Sequence, residues 1–522
     1  MAKYLRVYQD FSGGLCENAN DNMKDNQLVS AVNTEPGEKY GLKRACGTDL
    51  AFAAQLPDCG DVQAVLDYQP ASGPCQSLCF TKEHLYRYDA LGGEWQEITV
   101  TPAMTAPIRD YFVYADKLYW LDGTTIRVYN GSSTSEAVLD AVDPSSALQA
   151  LWQRIKGSSF VEQRGKRWFY ARADKSEVYV SEIGNPCAFT ETNVINVNTK
   201  NADCITGLKE FSQGMLIFKE KTVHFLSGWD FAGGSDMDLT QLNVTSGTKF
   251  DKSIQTVENA VLFLGYNGVY ELSWPFYSTA IAAKNISIGL ISDTLRSNGT
   301  VDAYAQVWDS VYYLTVVNGQ GKKEYRYYTA LKSFWGEFTQ EATCYSTAMR
   351  ENALFLGCGN GYVLKYDNAS HHYIDVSVGE PKTIPMKAVT KSFDVMGGMV
   401  RDSRIKKVLI AAKQYAAQSS KIKLRIKADY RNQQWLFNTD MDESLVYGEG
   451  GFGETFFGWQ DTVTKEVTVN QKAKRLQVSF IADQAEHLDQ PVMIYGVAVV
   501  YKKKRPKGSR VGVEQTEVTD WE

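Results

Sequence analysis

One stretch of the chain occurs twice. Glu258–Leu272, ENAVLFLGYNGVYEL, has a near copy in Glu351–Tyr366, ENALFLGCGNGYVLKY. Both open with Glu-Asn-Ala, run through a Leu-Phe-Leu-Gly core, meet an Asn-Gly pair and leave through a Tyr-containing strand. Asn and Gly tolerate positive φ, which matches the twist of a tight β-hairpin. The copies start 93 residues apart, two units of roughly 45, the period of a four-stranded propeller blade.

Weaker copies of the unit lie at 78–88, 117–129, 214–226 and 311–328, each an apolar strand, a polar turn and an aromatic strand. Anchors on the second strand of each hairpin, at Leu85, Ile126, Val178, Val223, Val269, Glu324 and Tyr362, are spaced by 41, 52, 45, 46, 55 and 38 residues. This periodicity predicts an all-β chain whose residues 56–380 form a β-propeller of six to eight blades. A sandwich of hairpins without radial closure is the alternative. Three units end in a turn leading to an aromatic residue, Trp95, Phe189 or Trp335, placed to pack between neighbouring blades.

At 522 residues the chain exceeds one ordinary core, so two or three domains are expected. A formal net charge of −6 argues against wrapping nucleic acid by bulk attraction. Nine scattered cysteines, an odd count without paired zinc-ligand spacing, predict free thiols in a reducing compartment. No apolar leader and no run of about 18 apolar residues is present, so neither export by a signal peptide nor membrane spanning is expected.

Residues 1–55 depart from the blade pattern and read as an N-terminal docking arm. Within them Leu28, Val29 and Val32 fit one face of a short helix capped by Asp25; the competing reading is a strand pair that closes the propeller. Two segments, 132–159 and 274–299, are inserted loops. In the first, Leu148, Leu151, Trp152 and Ile155 fall at helical spacing. Each insert either packs on its own blade or reaches a neighbouring subunit. From residue 381 to 505 the pattern changes. Ile422, Leu424 and Ile426 alternate strictly with Lys421, Lys423, Arg425 and Lys427, predicting an antiparallel β-sandwich. Residues 506–522 form a charged tail.

Catalytic signatures are sparse. None of the five histidines sits in an H-E-x-x-H motif, and neither a nucleophile elbow nor a Walker loop occurs. Asp67, Asp110, Asp116, Asp174 and Asp309 are carboxylates that a propeller places near its axis, where a glycosidase needs two. No pair stands out. No catalytic, cofactor or metal residue is assigned, and no enzyme activity is expected.

The order Asp10-Phe-Ser-Gly-Gly-Leu15, Lys24-Asp-Asn-Gln27, Ala31-Val-Asn33, Lys43-Arg44 and Gly47-Thr48, followed by Val261–Tyr270, resembles the tail nozzle or hub (virion tail-stabilisation) proteins of short-tailed bacteriophages. The resemblance spans nearly the whole chain. It implies a homohexameric ring below the portal and adaptor, in a virion tail assembled in the host cytoplasm. Viral double-stranded DNA would pass through without sequence-specific binding, and no cofactor is implied. Phe11, Gly13, Gly14, Leu15, Lys502, Lys503, Lys504 and Arg505 are the candidate assembly contacts. The alternatives are a receptor- or glycan-binding tail-tip propeller and a polysaccharide-degrading enzyme.

Overall fold

A computed structural model describes residues 4–17, 23–197, 202–212, 214–228, 237–275, 280–291, 295, 299–319, 321–339, 342–394, 403–413, 421–429, 431–438, 462–483 and 491–503. Among them the chain is all-β apart from short 3₁₀ turns and one α-helix. Seven antiparallel sheets of four strands follow one another along the chain. The first is Ala64–Tyr68, Gln76–Phe80, Leu85–Asp89 and Glu94–Ile98. The seventh has Ala342–Ser346, Phe355–Cys358 and Val363–Asp367. Its fourth strand, Gly47–Leu50, comes from the other end of the chain.

Inner strands of these sheets, such as Arg167–Ala171 and Gly214–Lys219, are buried at every position, so both faces need cover. Apolar layers provide it in strict succession. Leu78 and Phe80 of the first sheet meet Trp120 of the second, and Tyr119 and Ile126 of the second meet Trp168 of the third. The series continues to Tyr304 and Tyr313 of the sixth sheet against Leu356 and Leu364 of the seventh. A last layer returns to the start, with Cys344, Phe355 and Val363 of the seventh sheet packed on Val65, Cys79 and Tyr86 of the first. The body is therefore β-propeller-like.

The seven anchors fall on or beside the third strand of the seven sheets, from Leu85 to Tyr362. The two long copies form equivalent hairpins, strands two and three of the fifth and seventh sheets. Their turns differ in detail. Asn360 and Gly361 both take positive φ (58° and 71°), whereas Gly265 pairs with Gly268 around Tyr266 and Asn267. Trp95, Phe189 and Trp335 are all buried in the apolar layers.

Residues 4–44 correct the reading of a docking arm. They supply strands to two sheets shared with the C-terminal region. One is six-stranded: Tyr4–Tyr8 pairs with Met493–Lys503, which also pairs with Ser403–Lys413 and, at its start, with Leu42–Arg44. The other is seven-stranded, and there Gln27–Val32 pairs with Met386–Thr390. The helix expected around Asp25–Asn33 is thus a strand. Its register shifts between Leu28 and Ser30, and such a bulge breaks the two-residue alternation. The expected burial of Ile422, Leu424 and Ile426 holds, each at most 1% exposed.

The 132–159 insert packs on its own neighbours. Its helix, Ser146–Lys156, starts where the Ser145 hydroxyl accepts a bond from the Leu148 N–H at 3.0 Å, a standard N-cap. Leu151, Trp152 and Ile155 then bury against the second and third sheets. From 274–299, Ala282–Asn285 is the fourth strand of the fifth sheet. Ile291 and Leu295 join the large core shared with the terminal sheets.

All nine cysteines are free thiols. Five are buried and Cys59 is exposed. Burial raises the Cys79 and Cys344 thiols above their ordinary values, which withholds the reactive thiolate. We expect a thiol-reactive dye to label Cys59 first and all nine after denaturation without reductant. Fewer than nine in the denatured chain would mean disulfides.

Candidate functional site

The residues singled out in the opening motif meet where the terminal sheets join the seven-sheet body. Phe11 and Leu15 are 1% and 2% exposed and belong to the same core as Leu314, Phe334 and Trp335 of the sixth sheet. Gly14 has φ +64°, and a Cβ there would lie 2.4 Å from the Phe334 carbonyl oxygen. Gly13 is half-buried beside Asn26 and Gln27. Phe11, Gly14 and Leu15 are thus buried within the chain itself.

Two further fasteners lie alongside. Asn33 donates from Nδ2 to Thr339 Oγ1 and to the Pro385 carbonyl, both at 2.9 Å. Its own Oδ1 accepts from the Thr339 N–H at 2.7 Å. Gly47 passes so close to the start of the His372–Asp375 strand that a Cβ would stand 1.8 Å from the His372 carbonyl oxygen. Only glycine fits this approach.

At the centre of the junction sits a buried charge cluster. Arg326, 1% exposed, lies on the third strand of the sixth sheet. It donates from Nε to Glu324 Oε1 at 2.7 Å and from Nη1 to the Tyr366 hydroxyl at 3.0 Å, and it pairs with Glu35. The Tyr366 hydroxyl in turn donates to Glu35 Oε1 at 2.8 Å, and Tyr345 donates to Glu324 Oε2 at 2.6 Å. Lys43 Nζ stands 3.3 Å from the second Glu35 oxygen. The guanidinium also lies 3.7 Å from the centre of the Phe338 ring, a favourable cation–π placement. Burial works to raise the Glu35 carboxyl, but the Arg326 and Lys43 cations outweigh it and hold it below its ordinary value. Two cations and two carboxylates thus tie three sheets in one connected network. Sequence reasoning missed it because its members are separated by up to 331 residues.

Of the basic candidates, Lys502 and Lys503 lie on the last strand, Met493–Lys503. Lys502 lines a groove of about 270 Å³ with Lys406, Lys407, Thr468, Asn470 and Val500. Lys406 donates to Asn470 Oδ1 at 2.9 Å, and Lys407 pairs with Glu466. Lys503 ends the last strand; its side chain, Lys504, Arg505 and the 506–522 tail lie outside the described residues.

The five axial carboxylates separate into different settings. Asp67 and Asp110 lie on first strands, Asp116 and Asp309 in turns with positive φ, and Asp174 on the surface bonded to Arg172. Asp67 is occupied by the Ser77 hydroxyl at 2.5 Å and the Arg350 N–H at 2.8 Å. Asp110 accepts from the N–H groups of Val161 and Tyr111, both at 2.9 Å. Burial pushes its carboxyl up to about 7, against these hydrogen bonds.

No helix among the described residues is long and apolar enough to cross a membrane. No protein-family model and no curated protein matches the chain. Among solved structures, the chain is similar to the extracellular domain of a protein assigned as a hybrid two component system from B. thetaiotaomicron. That match has 9% identity and a TM-score of 0.43, and covers 88% of this chain and 63% of that domain. The N-terminal domain of Nup159 aligns at 11% identity and TM-score 0.31, over 62% of this chain and 94% of that one. A protein from Lactobacillus plantarum aligns at 12% and 0.37, over 61% and 93%. The chain spans less than two thirds of the first of these, and the fold stands on its own strand pairing.

Proposed function

We propose that the chain is an architectural subunit of a short-tailed bacteriophage tail, a nozzle or hub that forms a ring, extends the DNA exit channel below the portal and adaptor, and helps retain and eject the genome. In this reading the body is a closed seven-bladed propeller, and the terminal unit is a β-sandwich built from both chain ends. The observation that supports it is where the opening motif sits. Phe11, Gly14, Leu15 and Asn33 all serve the junction between body and terminal unit. What the chain shares with tail proteins is thus a device for holding two β-rich units together, the requirement of a conduit wall. Duplex DNA would pass an acidic chain without being held, since retention by phosphate contacts needs clustered cations.

The test is the composition and structure of particles of the phage that encodes the chain. We expect cryo-EM to show a ring of this fold in the tail between adaptor and tip. Finding it only in detachable peripheral fibres, or absent from purified particles, would overturn the reading.

A further inference from the structure

The outer face of the six-stranded sheet has no cover in the described chain. Leu5 and Val7 point outward from its Tyr4–Tyr8 strand and are 61% and 46% exposed. Strand register places Leu5 beside Val500 and Lys407, and Val7 beside Ala498 and Leu409. An apolar floor therefore runs into the basic groove of Lys406, Lys407 and Lys502. Exposed apolar faces mark interaction sites.

The chain itself carries the complement. Residues 381–505 hold 21 Lys and Arg against 13 Asp and Glu, whereas residues 51–380 hold 26 against 37. Within that acidic body, segments 131–153 and 176–199 contain no Lys or Arg at all, but six Asp and Glu. They lie together: the Asp140 N–H donates to the Cys187 carbonyl at 3.0 Å, and Asn185 Nδ2 donates to Asp140 Oδ2 at 2.6 Å. Val138, Val142 and Ile183 stand out from this region, Val142 95% exposed. Asp140, Asp143 and Glu182 lie beside them in sequence.

We propose that the outer face of the six-stranded sheet in one copy docks on the Val138–Asp143 and Glu182–Ile183 patch of a second copy. Apolar side chains meet at the centre, and lysines meet carboxylates around them. The contact joins two different surfaces, so it propagates head to tail and closes into a ring where its rotation allows. It names the intersubunit contact that the ring reading requires, yet it is tested on the purified chain alone, independently of any particle.

Two charge-reversed chains test it by native mass spectrometry and light scattering at low and high salt. One carries Lys406→Glu and Lys407→Glu, the other Asp140→Lys and Asp143→Lys. Asp140 and Asp143 are exposed, and Lys406 and Lys407 are half-buried on the Ser403–Lys413 strand, so melting curves are read beside association, and recovery by the mixture shows that both variants fold. We expect each variant alone to associate at least tenfold more weakly, and an equimolar mixture to recover association, because every contact then pairs opposite charges. Unchanged association of either variant, failure of the mixture to recover, or an unmodified chain that stays monomeric would overturn the contact. So would a tenfold gain in association on truncating after Arg510, which would make the chain's own acidic end the occupant of this face. Failure here leaves the tail reading to the particle test, and a tail without the chain leaves this contact standing.

Discussion

A chain beginning at Ala51 should fail to fold cooperatively. A peripheral docking arm, by contrast, would leave the propeller folded when removed. The structure shows three separate losses from one cut. First, Gly47–Leu50 is the fourth strand of the seventh sheet, in register from Leu50 opposite Leu364 to Gly47 opposite Asp367. Without it the Val363–Asp367 strand has an open edge, and the ring of sheets is no longer tied by both chain ends. Second, the cut removes Phe11, Leu15, Leu28 and Leu42 from one continuous core. Each is worth about 1.5–3 kcal/mol when buried. Third, it removes Glu35 and leaves Arg326 buried without its partner on that side. Together these reach or exceed the roughly 5–15 kcal/mol by which domains are stable at all. The truncated chain should be recovered as aggregate or lose its sharp melting transition, and protease should cut within 342–367. A soluble product melting within a few degrees of the full chain would show that the N-terminal segment is peripheral after all.

The difference between the two readings lies in what a sequence can carry. Strand–turn–strand units are local, with Gly265 opposite Gly268 only a turn away. Their signal survives in one sequence, and all seven anchors fall on or beside the third strands. The Lys421–Ala428 alternation is local for the same reason. Choice of a distant partner is not. Nothing near Tyr4–Tyr8 names Met493–Lys503 as its neighbour, and nothing near Gly47 names Asp367. At Gln27–Val32 helix and strand both stay open in the sequence for a subtler reason. Its register shift after Leu28 puts Leu28 and Ala31 in the core with two half-buried residues between them, a three-residue spacing that imitates one helical turn. The candidate contacts divided along the same line. Phe11 and Leu15 were recognisable as apolar residues in an odd setting, but whether they faced another copy or this chain depended on contacts more than 300 residues away.

The charge cluster makes the sharpest test of the junction. Replacing Arg326 with Met should cost about 3–5 kcal/mol, because it leaves Glu324 buried without its cation, and Glu35 with Lys43 alone, rather than merely deleting a bond. Arg326→Lys should recover little. An ammonium cannot serve Glu324, Glu35 and the Tyr366 hydroxyl from one planar fork, nor stack on Phe338. Glu35→Gln should be milder than Arg326→Met. It keeps an acceptor for Tyr366, and Glu324 still faces the guanidinium. The pH dependence has a definite sign. Glu35 is held below its ordinary value in the folded chain, so it contributes stability that is present above the unfolded carboxylate range. That contribution is lost as pH falls through the folded value. Denaturant unfolding should therefore show the native chain losing stability on acidification, and the part due to the pairing of Glu35 with Arg326 should vanish in Arg326→Met. Between pH 7 and pH 4 the gap between native chain and Arg326→Met should narrow. If the gap stays constant, or Arg326→Met melts with the native chain at neutral pH, then apolar packing alone holds the terminal unit to the body and the ion cluster is incidental to it.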